Sequence, residues 1–598
     1  MLAAVALAGV VTGAQATEPK VLRVAFRVAE TGFDPAKIND LYSRTITPHI
    51  FEALYTYDHL ARPVKIRPQT AAAMPEVSPD HRTWTVRIQP GIYFADDPAF
   101  KGQRRELTAQ DYVYSFKRFA DPANRSPHIS YMIETTMLGY EALHEDAVKS
   151  RKPFNYDREI EGLKALDRYT LQFKLAQSRP RFIETLAAPD LMGALAREVV
   201  EHYGDAIAAH PVGTGPFRLK QWRRSSQIVL ERNPGYRPVY YDAEPAPDDA
   251  EGQAILARFK GKRIPFIDEV QVSIIEENQP RWLAFLNGQT DMIGTLTGPV
   301  PDEFVVVAVP GGKLAPNLAK RGIVHQRSVN ADVVVAWFNM KDPIVGGYTP
   351  DKVALRRAIS LGYDVERDIR LIRRGQAVPA QSRIIPHTSG YDPAYKSEMS
   401  EYSPARAKAL LDLYGYVDKN GDGWRDMPDG SPLVLRMANQ GDSLSRQYSE
   451  QWQHCMNEIG LRIQFDIAQW PENLKAARAG KLMMWQLGGS ASQPDGQDTL
   501  ASMYGPQAGS QNFAHFKLAA FDQLYDRMSE LEDGPERDAL FLQAKRIQAA
   551  YVPYKATMHR IANDLVHPWL IGYRRPVFWT DWWHLVDIDT EARAKALK

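Results

Sequence analysis

Residues 209–237, AHPVGTGPFRLKQWRRSSQIVLERNPGYR, impose the tightest local constraint on the chain. Gly213-Thr214-Gly215-Pro216 is a turn, because the proline fixes φ and glycine accepts backbone angles closed to other residues. It feeds a short strand, residues 217–222. Four polar residues, 223–226, make a second turn, and a return strand, 228–231, ends at Asn233-Pro234-Gly235. Two strand-forming runs bracketed by turns predict a hairpin. The stretch holds no catalytic constellation, so its constraint is on scaffold and not on chemistry.

A chain of 598 residues is too long for one hydrophobic core, so two or more domains are expected. Lys and Arg total 73 against 72 Asp and Glu. That balance gives no long-range field for nucleic acid or an anionic membrane surface. The 12 Trp and 27 Tyr fit either large cores or a ligand cleft lined by flat side chains. Cys455 is the single cysteine, which excludes an intrachain disulfide. It falls beside the apolar stripe of a helical pattern (Leu444, Tyr448, Trp452, Met456, Ile459), where it reads as a small buried side chain. Residues 2–11 form an apolar run too short to span a bilayer, and Ala14-Gln15-Ala16 supplies a small-x-small cleavage site. A signal peptide over residues 1–16 and an exported, soluble mature protein are expected, although no Lys or Arg precedes the run.

The chain alternates helical and strand patterns. Residues 21–27 read as a strand, 29–35 as a loop and 42–55 as a helix. Trp84, Val86 and Ile88 point one way and Thr85 and Arg87 the other, the period of a half-buried strand. Thr108 is a plausible N-cap with Asp111 three residues on, opening a helix whose stripe is Tyr112, Phe116 and Phe119. Leu171, Phe173 and Leu175 alternate again, residues 242–251 read as a surface loop, and 299–321 as irregular. The apolar run 333–339 predicts a buried strand, and 353–361 a helix. Residues 461–467 are a strand, 471–479 a short helix stopped by Gly480, 481–487 a second strand, and 488–497 a polar, Gly-rich loop. So compact a strand–helix–strand unit predicts a parallel pair with ligand beyond the strands' carboxyl ends.

Taken in order, the turn–hairpin at 209–237, the hairpin near 76–94, the helix start at 107–119 and the strand at 162–175 resemble the family 5 extracellular solute-binding proteins, the peptide-binding class that serves ABC importers. The resemblance runs from about Leu22 to about Trp583. It implies a two-lobed α/β periplasmic binding fold with an extra subdomain in the first lobe and two interlobe crossovers, near Val333 and near residues 555–567. The first lobe would comprise residues 17–325 and 560–598, with its subdomain at about 60–185, and the second lobe 326–559. It further implies a monomer, no cofactor, a peptide or small-molecule ligand, and an inner-membrane ABC permease as partner. In peptide-binding members an aspartate four residues before a proline pairs with the ligand's α-amino group; counting back from Pro494 reaches Ser490, which is neutral. Asp495, just past the proline, is the candidate substitute. Trp485 on the preceding strand, Phe338 and Asn339 at the end of the crossing strand, and Gly32 and Phe33 on the first-lobe loop are the other ligand-contact candidates.

Enzyme signatures fail one by one. Gly488-Gly489-Ser490-Ala491-Ser492 misses the last glycine of a nucleophile elbow, Gly213-Thr214-Gly215 lacks the third glycine of a dinucleotide loop, and His144-Glu145 has no second histidine at metalloprotease spacing. The rival reading is a secreted, glycosidase-like hydrolase, whose two acids would leave no short motif. Asp418, Asn420, Asp422 and Asp426 stand at positions 1, 3, 5 and 9 of a calcium-type loop, with Asp429 at position 12 where a strong site has Glu. The same residues also build tight turns, and both readings stand at this level.

Overall fold

The computed structural model describes residues 18–578 and 580–598, so the expected signal peptide and its cleavage site lie outside the described residues. The hairpin forms. Strands β1 (Val21–Phe26), β2 (Phe217–Arg223), β3 (Gln227–Arg232) and β4 (Glu269–Ile274) make one sheet in the order β1-β4-β3-β2. β1 and β4 run parallel; the other pairs are antiparallel. Leu22, Phe217, Ile228 and Val270 turn from this sheet into the first-lobe core with Trp583. Gly213 is required by contact: a Cβ there would stand 2.1 Å from the Ile50 carbonyl oxygen. Thr214 donates to Glu52, which also receives Arg237 at 2.6 Å and the Tyr236 hydroxyl at 3.2 Å. The stretch is thus a buried fastening.

Within the same lobe, strand Thr83–Arg87 pairs antiparallel with Thr170–Lys174. Helix Ala109–Ala120 covers them, started by a capping box in which Thr108 and Asp111 satisfy each other's backbone donors. Its stripe packs as the spacing requires, with the Phe116 ring 5.4 Å from Phe173. Two expectations here are corrected. The helix at 42–55 is only Leu41–Ile46 followed by a 3₁₀ turn, Thr47–His49, because Pro48 removes a backbone donor. The segment 299–321 is not irregular but holds two short helices, Asp302–Ala308 and Pro316–Lys320.

The second lobe is built on β5 (Val324–Val329), β6 (Asp332–Phe338), β7 (Val434–Asn439), β8 (Arg462–Ile467), β9 (Met484–Ser490) and β10 (Tyr554–Val566). Their order is β10-β6-β9-β7-β8, with β5 paired to the far half of β10. All seven residues of β6 are buried, because Ala336 and Phe338 enter one core and Val333, Val335 and Trp337 another. A strand covered on both faces reads as an unbroken apolar run. β10 is the long member: Tyr554 packs in the second-lobe core and Val566 in the first-lobe core. β5 and β6 run antiparallel to it. The lobes are therefore joined by one ribbon that crosses twice, a connection suited to hinge closure.

The compact unit at 461–487 folds with a different neighbour from the one expected. β8 and β9 are parallel, but β7 lies between them and pairs with both. β9 also continues through Gly488, Gly489 and Ser490, which pair with Val334, Val333 and Asp332. Cys455 is buried, and burial pushes its thiol up to about 11, as expected of a packing residue. No helix among the described residues is long and apolar enough to cross a membrane.

Candidate functional site

Ser490 ends β9 and lines a cavity of about 590 Å³ between the lobes. That volume is in the range of small-molecule sites, about 300–1,000 Å³. It is lined by β5, by residues 574–578 and by Ser490 and Ala491. Leu296, Val324, Val577 and Phe578 are among its apolar lining, and Arg62, Arg327, Arg574 and Arg575 among its basic lining. The nearest acid in register with Ser490 is Asp332, only 1% exposed. Its carboxylate is taken by the Arg560 backbone N–H at 2.9 Å and side-chain Nε at 2.8 Å. No strand residue beside Ser490 therefore offers a free negative charge.

Asp495, the candidate substitute for the missing carboxylate, is not free in this structure either. Its Oδ2 accepts from Arg181 of the first lobe at 2.7 Å; its Oδ1 accepts from Arg537 at 2.7 Å and Ser389 at 2.9 Å. Arg181 also reaches Asp533 at 2.9 Å, and Gln493 donates to the Tyr131 hydroxyl at 2.8 Å. These bonds close the lobes around a second, smaller cavity of about 120 Å³ that holds Glu134, Glu184, Asp495 and Asp498 beside Arg179 and Arg181. Burial, then the Asp495 charge, pushes Glu184 well above the carboxylate range. Asp498 lines the same cavity; burial of its carboxyl first and the Asp495 charge second lift it to about 7. Asp495 itself lies below its ordinary value: burial opposes that shift, and Arg537 and Arg181 outweigh it.

The sign of the pH effect follows. Asp498 keeps its proton in the folded protein above its ordinary value near 3.8, so its contribution is full below that pH and is lost as pH rises through about 7. Asp498→Asn should therefore flatten the fall of the melting temperature between about pH 5 and pH 8 relative to wild type. Parallel melting curves for the two proteins across that range would refute the assignment.

The remaining ligand-contact candidates are all buried. Trp485 is 0% exposed, with its ring 4.7 Å from Trp470. Phe338 is in the core, and the Asn339 amide donates to the carbonyls of Gly480 and Leu482, both at 2.9 Å. Phe33 packs 4.8 Å from Trp222, and Gly32 has φ +155 with Ala208 at 3.1 Å from where a Cβ would stand. The loop from Asp418 is tied up by its own backbone. Asp418 accepts from Gly421 and Gly423 N–H, Asn420 from Asp422, Asp422 from Trp424 and Arg462, and Asp426 from Lys419. Among the described residues no group of three His, Cys, Asp or Glu is arranged to hold a metal ion. The arginines that dominate both cavities were not singled out in the sequence; Arg574-Arg575 is a visible pair, but nothing local ties Arg181 to Asp495, 314 residues away.

A glycosidase would need two acids facing a sugar-sized space, one of them free to act. The acid-rich cavity is small, and both oxygens of Asp495 are held by guanidiniums. Two α/β lobes on a double-crossing ribbon, with a larger cavity between them, define the class of hinged binding proteins. The model of the bacterial extracellular solute-binding proteins, family 5 Middle, matches residues 65–511, and this chain belongs to that family. Di/tripeptide-binding protein 2 of Pseudomonas aeruginosa (strain UCBPP-PA14) is 24% identical over 589 residues, 95% of each chain. The periplasmic oligopeptide-binding protein OppA of Salmonella typhimurium is 24% identical over 90% of this chain and 87% of its own length. The fold matches that of Helicobacter pylori DppA in complex with the peptide STSA, with a TM-score of 0.71, 23% identity and coverage of 96% and 99%.

Proposed function

We propose that this chain is the periplasmic substrate-binding component of an ABC importer, which captures a peptide or peptide-like solute by interlobe closure and delivers it to the permease. The observation that carries the reading is the cavity of about 590 Å³ at Ser490, enclosed by both lobes. The names of the relatives, which speak of di-, tri- and oligopeptides, support the ligand class. The first lobe spans residues 17–325 and 560–598, with a subdomain at about 60–185, and the second spans 326–559. Ser490 is a ligand contact. The protein is exported after cleavage behind Ala16 and works as a monomer, and no covalent step is involved. A ligand shifts the open–closed balance by its greater affinity for the closed state. Native mass spectrometry of freshly purified protein should reveal a small-molecule cargo that denaturation releases. A protein that is empty on purification, and whose melting temperature no peptide or peptide-like compound raises, would refute the reading.

A further inference from the structure

The smaller interlobe cavity holds more acid than base. Glu134, Glu184, Asp495 and Asp498 line it against Arg179 and Arg181. Arg537 joins Asp495 from outside the lining, and Asp533 takes a bond from both Arg181 and Arg537, which makes five acids to three guanidiniums. Several neutral polar side chains of the lining are committed to protein. Thr135 donates to the Met132 carbonyl at 2.6 Å, and Thr185 and Gln493 bond the Tyr131 hydroxyl. Gln497 donates to Ser529 at 2.8 Å, and Ser529 to the Tyr525 carbonyl at 2.9 Å. Glu184 is different. It is 9% exposed, and neither of its carboxyl oxygens has a hydrogen-bond or ion-pair partner among the described residues. The Asp498 carboxyl has none there either, and Glu134 is bonded on one oxygen only, by Gln507. Arg179 donates to Gln177 at 3.1 Å and pairs with no carboxylate among the described residues. The cavity thus leaves carboxyl oxygens open, from Glu134 and Glu184 on the first lobe and from Asp498 on the second.

Protons meet part of this excess. Burial, then the Asp495 charge, holds Glu184 well above the carboxylate range and Asp498 at about 7, against the opposing pull of Arg181 and Arg537. Burial also raises Glu134 and keeps the Tyr57, Tyr131 and Tyr525 hydroxyls neutral. A cation with N–H donors entering the cavity would meet the open oxygens in charge-assisted hydrogen bonds and displace those protons. Among the described residues no three acids converge as a metal ion needs, so the spread acids suit a polyatomic cation. Phe182 and Tyr525 line the same space beside a carbon chain. We propose that this cavity is a second binding site, for a small organic ammonium ion such as a short alkyl diamine, which bridges Glu184 of the first lobe and Asp498 of the second. Such a bridge exists only between closed lobes and so favours closure. The cavity shares no lining residue with the one at Ser490, so its ligand acts beside the cargo.

Isothermal titration of ligand-stripped, refolded protein with 1,4-diaminobutane tests it. One molecule should bind per chain, at least about tenfold more tightly at pH 8 than at pH 6, because protons leave as the cation enters. For the same reason the heat should change with the ionisation enthalpy of the buffer. Glu184→Gln and Asp498→Asn should each weaken binding by at least about tenfold, and both keep the shape of a side chain that already holds a proton. Circular dichroism controls for folding; if a variant does not fold, the pH and buffer dependence of the wild type still decide the matter. Tetramethylammonium, a cation without N–H donors, should give no heat at equal ionic strength. Absence of diamine binding, an equal response to tetramethylammonium, tighter binding of calcium, or unchanged affinity in both folded variants would each overturn the proposal. The cargo reading is tested separately, by release of a bound solute from freshly purified protein.

Discussion

Replacing Asp34 with alanine is expected to destabilise the first lobe by about 3–5 kcal/mol, the cost of breaking a buried ion pair from one side. Asp34 closes the loop after β1 and is 1% exposed. Its two oxygens take the two terminal nitrogens of Arg118 at 2.6 and 2.9 Å, and Oδ1 also accepts the Ala36 N–H at 3.2 Å. Arg118 stands on helix Ala109–Ala120 with its side chain 2% exposed. Without Asp34 this guanidinium is left charged, dry and unpaired; its Nε already lacks a partner. Thermal unfolding of ligand-stripped protein should show a drop on the order of 5–10 °C. Asp34→Ala combined with Arg118→Met should recover part of the loss, since it leaves no lone charge. A single-variant drop of less than about 2 °C would show that the pair carries little of the lobe's stability.

What the sequence made legible was what local chemistry decides. Gly213 to Pro216 and the alternation on either side of residues 223–226 specify the β2–β3 hairpin, because turn type and side-chain period are both written locally. Thr108 and Asp111 specify a helix start for the same reason. The unbroken run in β6 announced burial on both faces. Local pattern failed where the partner is distant. β8 and β9 are parallel, but the insertion of β7 between them is set by sheet pairing that no window of sequence contains. Gly488-Gly489-Ser490 has the composition of a loop, yet β6 lies alongside with unpaired backbone groups and draws these residues into the sheet. Trp485 and Phe338 alternate correctly, but where both faces are covered alternation cannot separate core from cleft. The same limit hid the clamp on Asp495, whose three side-chain partners come from residues 181, 389 and 537.

Asp495→Ala should have the largest effect on ligand capture, because that carboxylate serves two structures at once. Within the second lobe it is the buried counter-ion of Arg537, whose side chain is 0% exposed. Arg537 keeps Asp533 at 2.9 Å, but that acid is 68% exposed and contributes less through water screening. Between the lobes Asp495 holds Arg181 at 2.7 Å, a link that exists only while the lobes touch. The variant therefore loses stability of about 3 kcal/mol and closure together. Arg181→Met separates the two, since it removes the interlobe link and leaves Arg537 paired. Both variants should show a larger radius of gyration by small-angle scattering and weaker ligand binding by about 10- to 100-fold, the penalty for a closed state made 1.4–2.8 kcal/mol less favourable. Only Asp495→Ala should also lower the melting temperature substantially. If Arg181→Met binds ligand as tightly as wild type and scatters with the same radius, the ion pair does not hold the lobes, and closure rests on the remaining contacts between them, such as Gln493 with Tyr131 and His81 with Glu532.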